Sequence, residues 1–339
     1  MTTTANETVR FGIIGAGVIG AAHAAAVASL PNAEATAIVE VASGAQAGRQ
    51  LASTYGAHLY LDLHEMLKNE PVDIVIVCTP SGFHARDAIA AIQAGKHVVV
   101  EKPMALTLAD IDQMLAVQTQ TGMKLSVISQ HRFDPAAQRV HALADAGQFG
   151  QVSLGIAHVP WWRSQAYYDK ADWRGTERLD GGVLMNQAIH AIDLLQWFLG
   201  PVIRVVGYSG TLSHDVETED TAVASLEVES GALAAVTATT GAYPGLGVHI
   251  EVLGSRGSAV IEDDALTYLK LDSSEASIHP AEQVAPRFGV SHAVQLADMV
   301  AAIREDRPPA VDGITARATI QTILAIRESF RTGREVVIA

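Results

Sequence analysis

The sequence predicts an α/β domain with a parallel sheet, followed by an α+β domain with a large, mainly antiparallel open sheet. Three observations carry this reading. Short apolar runs alternate with helix-like stretches through residues 1–129, a glycine cluster stands between the first run and the first helix, and strand signals broken by tight turns dominate from Val202 to Leu271. The expected division is therefore 1–129 and 130–339, with the closing helices packing back toward the first domain.

Composition limits the function classes. Of 339 residues, 49% are hydrophobic and 18% charged, enough to fill two cores. The formal net charge of −14, with no visible run of Lys or Arg, opposes docking on nucleic acid. No apolar run is long enough to cross a bilayer, and the opening MTTTANETVR lacks the basic segment and apolar core of a secretory leader, so a cytoplasmic location is expected. The single cysteine, Cys78, falls in an apolar run and reads as a buried thiol. The 13 histidines show no CxxC or HExxH spacing, and no metal is expected.

The elements follow in order. Val9 to Ile14 is an apolar strand that enters Gly15-Ala16-Gly17-Val18-Ile19-Gly20, and Ala21 to Ala28 continues as a helix. Strand, tight turn and helix around GxGxxG form a dinucleotide-binding pattern. Gly15 permits the turn, Gly17 lets backbone N–H groups approach a pyrophosphate, and Gly20 lets helix and strand pack closely, with Val18 and Ile19 within the same turn beside the cofactor. The next strand, Ala35 to Val41, carries Glu40 where a carboxylate accepts hydrogen bonds from the ribose diol, which favours NAD over NADP; a solvated strand-end glutamate is the plain alternative.

Pro71 to Cys78 reads as a buried parallel strand ending in Thr79-Pro80-Ser81-Gly82, and His84 to Ala94 as a helix. His97 to Val100 is another strand, ending in Glu101-Lys102-Pro103. Ligands of open α/β sheets sit at the carboxyl ends of strands, which places Thr79, Pro80, Glu101 and Lys102 beside a nicotinamide and its substrate. His84 is either a satisfied helix-start histidine or a cofactor neighbour. A lysine after three valines and before Pro103 is poorly placed for ordinary solvation, so Lys102 is a candidate functional residue. Lys124 to Ser129 forms one more strand, and the chain leaves the first domain through Gln130-His131-Arg132-Phe133-Asp134-Pro135.

In the second half, residues 137–147 look helical and Val152 to Val159 look like a strand. The segment from Trp161-Trp162-Arg163 through Trp173-Arg174-Gly175 holds three of the four tryptophans; aromatic faces beside arginines suit a sugar ring, and a packed interdomain loop explains them equally. Gly181 to Gly200 reads as a buried helix with Asn186, His190 and Asp193 at i, i+4 and i+7 on one polar stripe. Buried polar groups need partners, so the stripe either closes an internal network or faces a cleft at His190. Strand signals at Ile203–Tyr208, Thr221–Val228, Ala232–Thr239, Val248–Leu253 and Ser258–Ile261 predict the antiparallel sheet, and helices near 292–305 and 313–331 can cover one of its faces.

Taken together, the GAGVIG turn, TPSGFH, the EKP tripeptide, QHRFDP and DGGVLMNQAIHAID resemble the glucose-fructose oxidoreductase, inositol dehydrogenase and rhizopine-catabolism family, Gfo/Idh/MocA. The resemblance implies a Rossmann domain, nicotinamide chemistry on a carbohydrate or polyol, and a homodimer or homotetramer formed through the second sheet. It implies that Lys102 and His190 stand beside the reacting carbon. Many relatives carry aspartate where this chain has Asn186; members with asparagine there include sugar 3-dehydrogenases, which makes a pyranose C3 hydroxyl the favoured target. The expected cofactor set is Gly15, Gly17, Val18, Ile19, Gly20, Glu40, Thr79, Pro80, His84, Glu101, Lys102 and Gln130. The expected substrate set is Lys102, Arg132, Trp161, Arg163, Trp173, Arg174, Asn186 and His190. In the expected chemistry His190 takes the hydroxyl proton and Lys102 stabilises the alkoxide, with a neutral Lys102 as base left open. A keto-sugar reductase, a retained-NAD hydrolase or lyase cycle and a non-catalytic dinucleotide sensor are the alternatives.

Overall fold

The computed structural model describes residues 7–272 and 277–338; the first six residues, on which the reading of the N-terminus partly rests, lie outside them. The chain divides into two compact units, Met1–Gln130 with Arg287–Arg317, and His131–Pro286 with Ala318–Ala339.

The first unit alternates strands and helices: β1 (Val9–Ile14), α1 (Val18–Ser29), β2 (Ala33–Val39), α2 (Ala45–Tyr55), β3 (His58–Tyr60), α3 (Leu63–Asn69), β4 (Ile74–Val77), α4 (His84–Gln93), β5 (His97–Val100), α5 (Leu108–Thr121) and β6 (Leu125–Val127). The six strands are parallel in the order β3-β2-β1-β4-β5-β6. All of β4 is buried, as helices on both sheet faces require, and that is why these strands read as unbroken apolar runs. Connections run to opposite sides of the sheet from β1, which opens a crevice at the carboxyl ends of β1 and β4. Four elements of this unit, α2, β3, α3 and α5, had no counterpart in the sequence reading. At three residues, β3 is too short to show alternation, while α3 is announced only by its Asp62 cap, which accepts the N–H of Glu65.

The second unit contains α6 (Pro135–Asp145), β7 (Val152–Pro160), α7 (Gln165–Tyr168), a π-helical turn at Val183–Ala188, α8 (Ile189–Leu199), β8 (Val202–Gly210), β9 (Thr221–Val228), β10 (Leu233–Thr239), β11 (His249–Gly254), β12 (Gly257–Glu262) and β13 (Ala265–Leu271). Further along the chain come α9 (Val290–Arg304), α10 (Gly313–Thr332) and β14 (Val336–Val337). The sheet order is β13-β12-β11-β7-β10-β9-β8-β14, antiparallel except for the β7–β10 pair. Helix α8 packs against β7 where Gly155 has no side chain; a Cβ there would lie 2.5 Å from Leu199 Cδ2 and 2.8 Å from Leu195 Cδ1. Along β9, Ala222, Ala224, Leu226 and Val228 are buried while Val223 is 51% exposed, the alternation of a sheet with one covered face.

Two expectations are corrected. The second domain is not continuous from 130 to 339, because Arg287–Arg317 clusters with the first unit, where α9 packs on α1 through Leu296 and Met299 of the core. The stretch after Gly182 is not one α-helix: it opens with the π-helical turn, which widens the residue spacing and removes Asn186 from the α-helical stripe of His190 and Asp193.

Candidate active site

In the first unit the glycine turn meets the demands of a pyrophosphate cradle. Gly15 has φ +98°, a left-handed conformation that favours glycine. A Cβ on Gly20 would fall 1.9 Å from the Gly15 carbonyl oxygen, whereas a Cβ on Gly17 would meet nothing within 4 Å. Gly17 caps α1 without any side-chain hydrogen bond, so the helix presents N–H groups toward open space, as binding of a phosphate requires. Val18, 83% exposed, opens that helix. Glu40 follows β2 and stands over the turn: its Oε2 accepts the N–H of Ala16 at 2.6 Å and its Oε1 that of Val41 at 2.8 Å. These residues fit a dinucleotide with a free ribose diol.

The strand ends behind that crevice are tied together from beneath. His84 is buried, with Nδ1 2.7 Å from the Pro103 carbonyl and Nε2 2.7 Å from the Thr79 carbonyl. Both acceptors are carbonyls and favour the doubly protonated ring, but burial outweighs them and lowers its pKa. His84 therefore braces the loops after β4 and β5. Thr79 donates its hydroxyl to Asp87 at 2.9 Å.

Glu101 is buried at the end of β5. Burial alone would raise its pKa, but a 2.8 Å hydrogen bond from His23 Nε2, with the charges of His23, His292 and Lys102, brings it down to about 2. Its Oε2 accepts the backbone N–H of Lys102 at 3.1 Å. The ionised Glu101 thus holds the Lys102 main chain.

In the second unit His190, half-buried, lines a cavity of about 110 Å³ together with His131, Trp161, Gln187, Asp263 and Asp264 over an apolar floor of Val159, Leu194 and Ile250. The His131 and His190 rings meet edge to face at 4.9 Å between centroids. His131 Nδ1 lies 2.8 Å from Asp134 Oδ2 and 3.1 Å from Asp264 Oδ1. Burial alone would lower the pKa of His131, but these two carboxylates raise it to about 10 and keep the ring an imidazolium. Asn186 donates its amide N–H to Asp180, whose other oxygen accepts the N–H of Gly175 at 2.6 Å, so the amide is fixed in orientation.

The remaining expected substrate residues separate. Trp161 lines the His190 cavity, and Arg163 lies over its ring at 5.0 Å, with Nη2 3.2 Å from Gln187 Oε1. Arg174 instead stacks on Tyr167 at 4.1 Å and on Trp173 at 5.5 Å, and lines a separate depression of about 200 Å³. The expectation for Arg132 is corrected: it is buried, and its Nε and Nη2 both donate to Asp193 at 2.7 Å. Asp193 also accepts the Thr319 hydroxyl at 2.8 Å. The polar stripe thus divides, Asp193 closing an internal network and His190 facing the cavity. Gln130 heads a short 3-10 turn over Gln130–Phe133.

His131, Gln187, Asp263 and Asp264 were missed as lining residues. His131 stands beside Arg132 in QHRFDP, a signal that was available, whereas Asp263-Asp264 resembles any acidic turn. Among the described residues two groups bring histidine and carboxylate atoms within 4.8 Å of one another, His23 with Glu101 and His292, and His131 with Asp134 and Asp264. Hydrogen bonds between members account for the short contacts in both.

Comparison with known proteins bears directly on this arrangement. Residues 9–129 match the model of the Gfo/Idh/MocA oxidoreductase family with its NAD-binding Rossmann fold, and residues 137–260 match the Gfo/Idh/MocA C-terminal domain. The chain belongs to the Gfo/Idh/MocA oxidoreductase family. It is 27% identical to a myo-inositol 2-dehydrogenase of Thermotoga maritima, over 97% of this chain and 98% of the relative. It is 28% identical to a scyllo-inositol 2-dehydrogenase (NAD(+)) of Bacillus subtilis, over 97% and 96%. Among solved structures, the WlbA dehydrogenase of Bordetella pertussis, in complex with NADH and UDP-GlcNAcA, is 32% identical with a TM-score of 0.90, covering 98% of this chain and 99% of that one. As a Gfo/Idh/MocA protein the chain is an oxidoreductase with the Rossmann unit N-terminal and the mixed, mainly antiparallel sheet C-terminal. No described helix is long and apolar enough to cross a membrane.

Proposed function

We propose that this Gfo/Idh/MocA protein is an NAD-dependent dehydrogenase oxidising a secondary hydroxyl of a sugar, glycoside or cyclitol, with a pyranose C3 hydroxyl as the favoured target. The observation that carries the reading is the cavity in which His190 lies beside Trp161 and a ring of polar side chains, in a chain whose other unit presents the uncapped α1 terminus and Glu40. Similarity to two inositol dehydrogenases and to the WlbA dehydrogenase, whose complex contains UDP-GlcNAcA, supports a hydroxyl-bearing ring as substrate.

Gly15, Gly17, Val18, Ile19, Gly20 and Glu40 would hold the dinucleotide, with Thr79, Pro80, Glu101 and Gln130 toward its nicotinamide end. When bound, the nicotinamide supplies the hydride acceptor at C4. His190 accepts the substrate hydroxyl proton as the carbon becomes a carbonyl. Lys102, its main chain held by the Glu101 carboxylate, stabilises the developing alkoxide. Asn186 is held in a fixed orientation by its amide N–H bond to Asp180. Trp161 provides an apolar face for the ring.

The outer face of the second sheet carries Tyr208 paired across strands with Val223, both exposed, and supports self-association there, which sedimentation at several concentrations tests. For the activity, the protein is incubated with NAD⁺ or NADP⁺ and a panel of inositols, pyranoses and glycosides while reduced nicotinamide is followed. Reduction that Lys102→Ala and His190→Ala both abolish supports the assignment. Persistence of turnover in His190→Ala would transfer the base to another group, and silence on every alcohol with reduction of the matching ketones would reverse the direction.

A further inference from the structure

Resting on that reading, we propose that the His190 cavity selects an uncharged, hydroxyl-bearing ring and rejects one that carries a carboxylate, with Asp264 and Asp263 as the specificity-determining residues.

The two aspartates form the tip of the β12–β13 hairpin. Their φ angles are 45° and 66°, so both occupy the left-handed region, which glycine, asparagine and aspartate tolerate best in a two-residue turn. Turn geometry accounts for either aspartate singly, but two adjacent carboxylates at such a tip repel each other. Each is held by its surroundings: Asp263 Oδ1 accepts the N–H of Val248 at 2.8 Å, and Asp264 Oδ1 lies 3.1 Å from His131 Nδ1. Both line the same cavity as His190 and Trp161.

The charges do not cancel. His131 contributes one positive charge but shares it between Asp264 and the buried Asp134. The guanidinium of Arg132 is committed to Asp193. Arg163 approaches through Gln187, stacked on Trp161, and does not line the cavity itself. Within the cavity lining, Asp263 and Asp264 therefore face the ligand against a single shared imidazolium, and the Lys102 ammonium is assigned to the reacting hydroxyl. Carboxylates accept hydrogen bonds and do not donate them, so ring hydroxyls are their natural partners. A carboxylate on the ligand brings no donor and adds like-charge repulsion in a half-buried site. This sets the chain apart from its WlbA relative, whose complex contains UDP-GlcNAcA.

The test uses the NAD-loaded full chain, titrated with methyl β-glucopyranoside, methyl β-glucopyranosiduronate and myo-inositol and followed by calorimetry and tryptophan fluorescence, with reduced nicotinamide recorded in parallel. Expected is binding of the neutral glucoside or inositol at least tenfold tighter than of the uronate. In Asp264→Asn, where asparagine keeps the turn but loses the charge, that gap narrows at least threefold; Asp263→Asn provides the same comparison without disturbing His131. Equal or tighter uronate binding, a gap unchanged in both variants, or no binding by any of the three compounds overturns the proposal. Neutral-selective binding without turnover would sink the dehydrogenase reading while leaving the selectivity of the cavity intact.

Discussion

His23 Nε2 on α1 lies 2.8 Å from Glu101 Oε1, and the other oxygen of that carboxylate accepts the main-chain N–H of Lys102 at 3.1 Å. One buried side chain thus links the helix whose N-terminus fits the pyrophosphate to the lysine proposed for alkoxide stabilisation. Removing the histidine leaves a buried carboxylate without its donor. His23→Ala should cost about 2–4 kcal/mol of stability. It should also lower kcat on the order of tenfold by loosening Lys102. His23→Gln, which places an amide nitrogen near the lost Nε2, should recover much of both. Urea denaturation and steady-state kinetics of the two variants decide it; equal losses in both would mean that only packing matters there.

A second link, His131 with Asp134 and Asp264, governs the alkaline side. The His131 pKa is raised in the fold from its ordinary 6.5 to about 10. A raised histidine pKa contributes stability that is complete below the unfolded value and is lost as pH rises through the folded one, here between about 6.5 and 10. Urea midpoints should therefore fall over that window, and fall less in Asp264→Asn, where one of the two stabilising carboxylates is gone. Tyrosines, lysines and Cys78 are common to both proteins, so the comparison isolates His131. Identical alkaline limbs in the two proteins would contradict the assignment.

Arg132 and Asp193 make a two-point ion pair in the interior, closed by Thr319. Asp193→Ala strands a buried guanidinium and should destabilise by about 3–5 kcal/mol. The double substitution Asp193→Leu with Arg132→Met should cost clearly less than Asp193→Ala alone, because no uncompensated charge remains. Thermal and urea denaturation of the three forms measure this; a double variant as unstable as the single one would show that the pair is valued for its hydrogen bonds and shape.

What the sequence disclosed and what it hid follow from the range of the interactions. The glycine turn, the strand ends at Thr79 and Lys102 and the buried parallel sheet were legible because each depends on residues close together in the chain. The His131–Asp264 contact joins residues 133 positions apart through a hairpin tip, and no local pattern announces it. The π-helical turn was invisible because Val183–Ala188 is buried at every position but Asn186, leaving no polar face to reveal a change of period. Arg132 was assigned to substrate because an arginine in a polar motif looks functional, and only its partner, 61 residues away, shows that it is interior structure.

Glu40 supplies the remaining prediction. Its two oxygens already accept the N–H groups of Ala16 and Val41, which anchors a negative charge at the mouth of the glycine turn. A ribose diol can donate to such a carboxylate, whereas a 2′-phosphate placed there meets a like charge and finds no donor on the side chain. Glu40→Ser keeps a small polar group and removes the repulsion. The variant should bind NAD⁺ about tenfold more weakly, the size of one or two lost hydrogen bonds to a charged acceptor. It should bind NADP⁺ no worse than the parent. Calorimetric titration of both dinucleotides measures the ratio directly. A parent protein that binds NADP⁺ as well as NAD⁺, or a variant whose preference is unchanged, would remove Glu40 from the cofactor site and leave it as a brace for the turn alone.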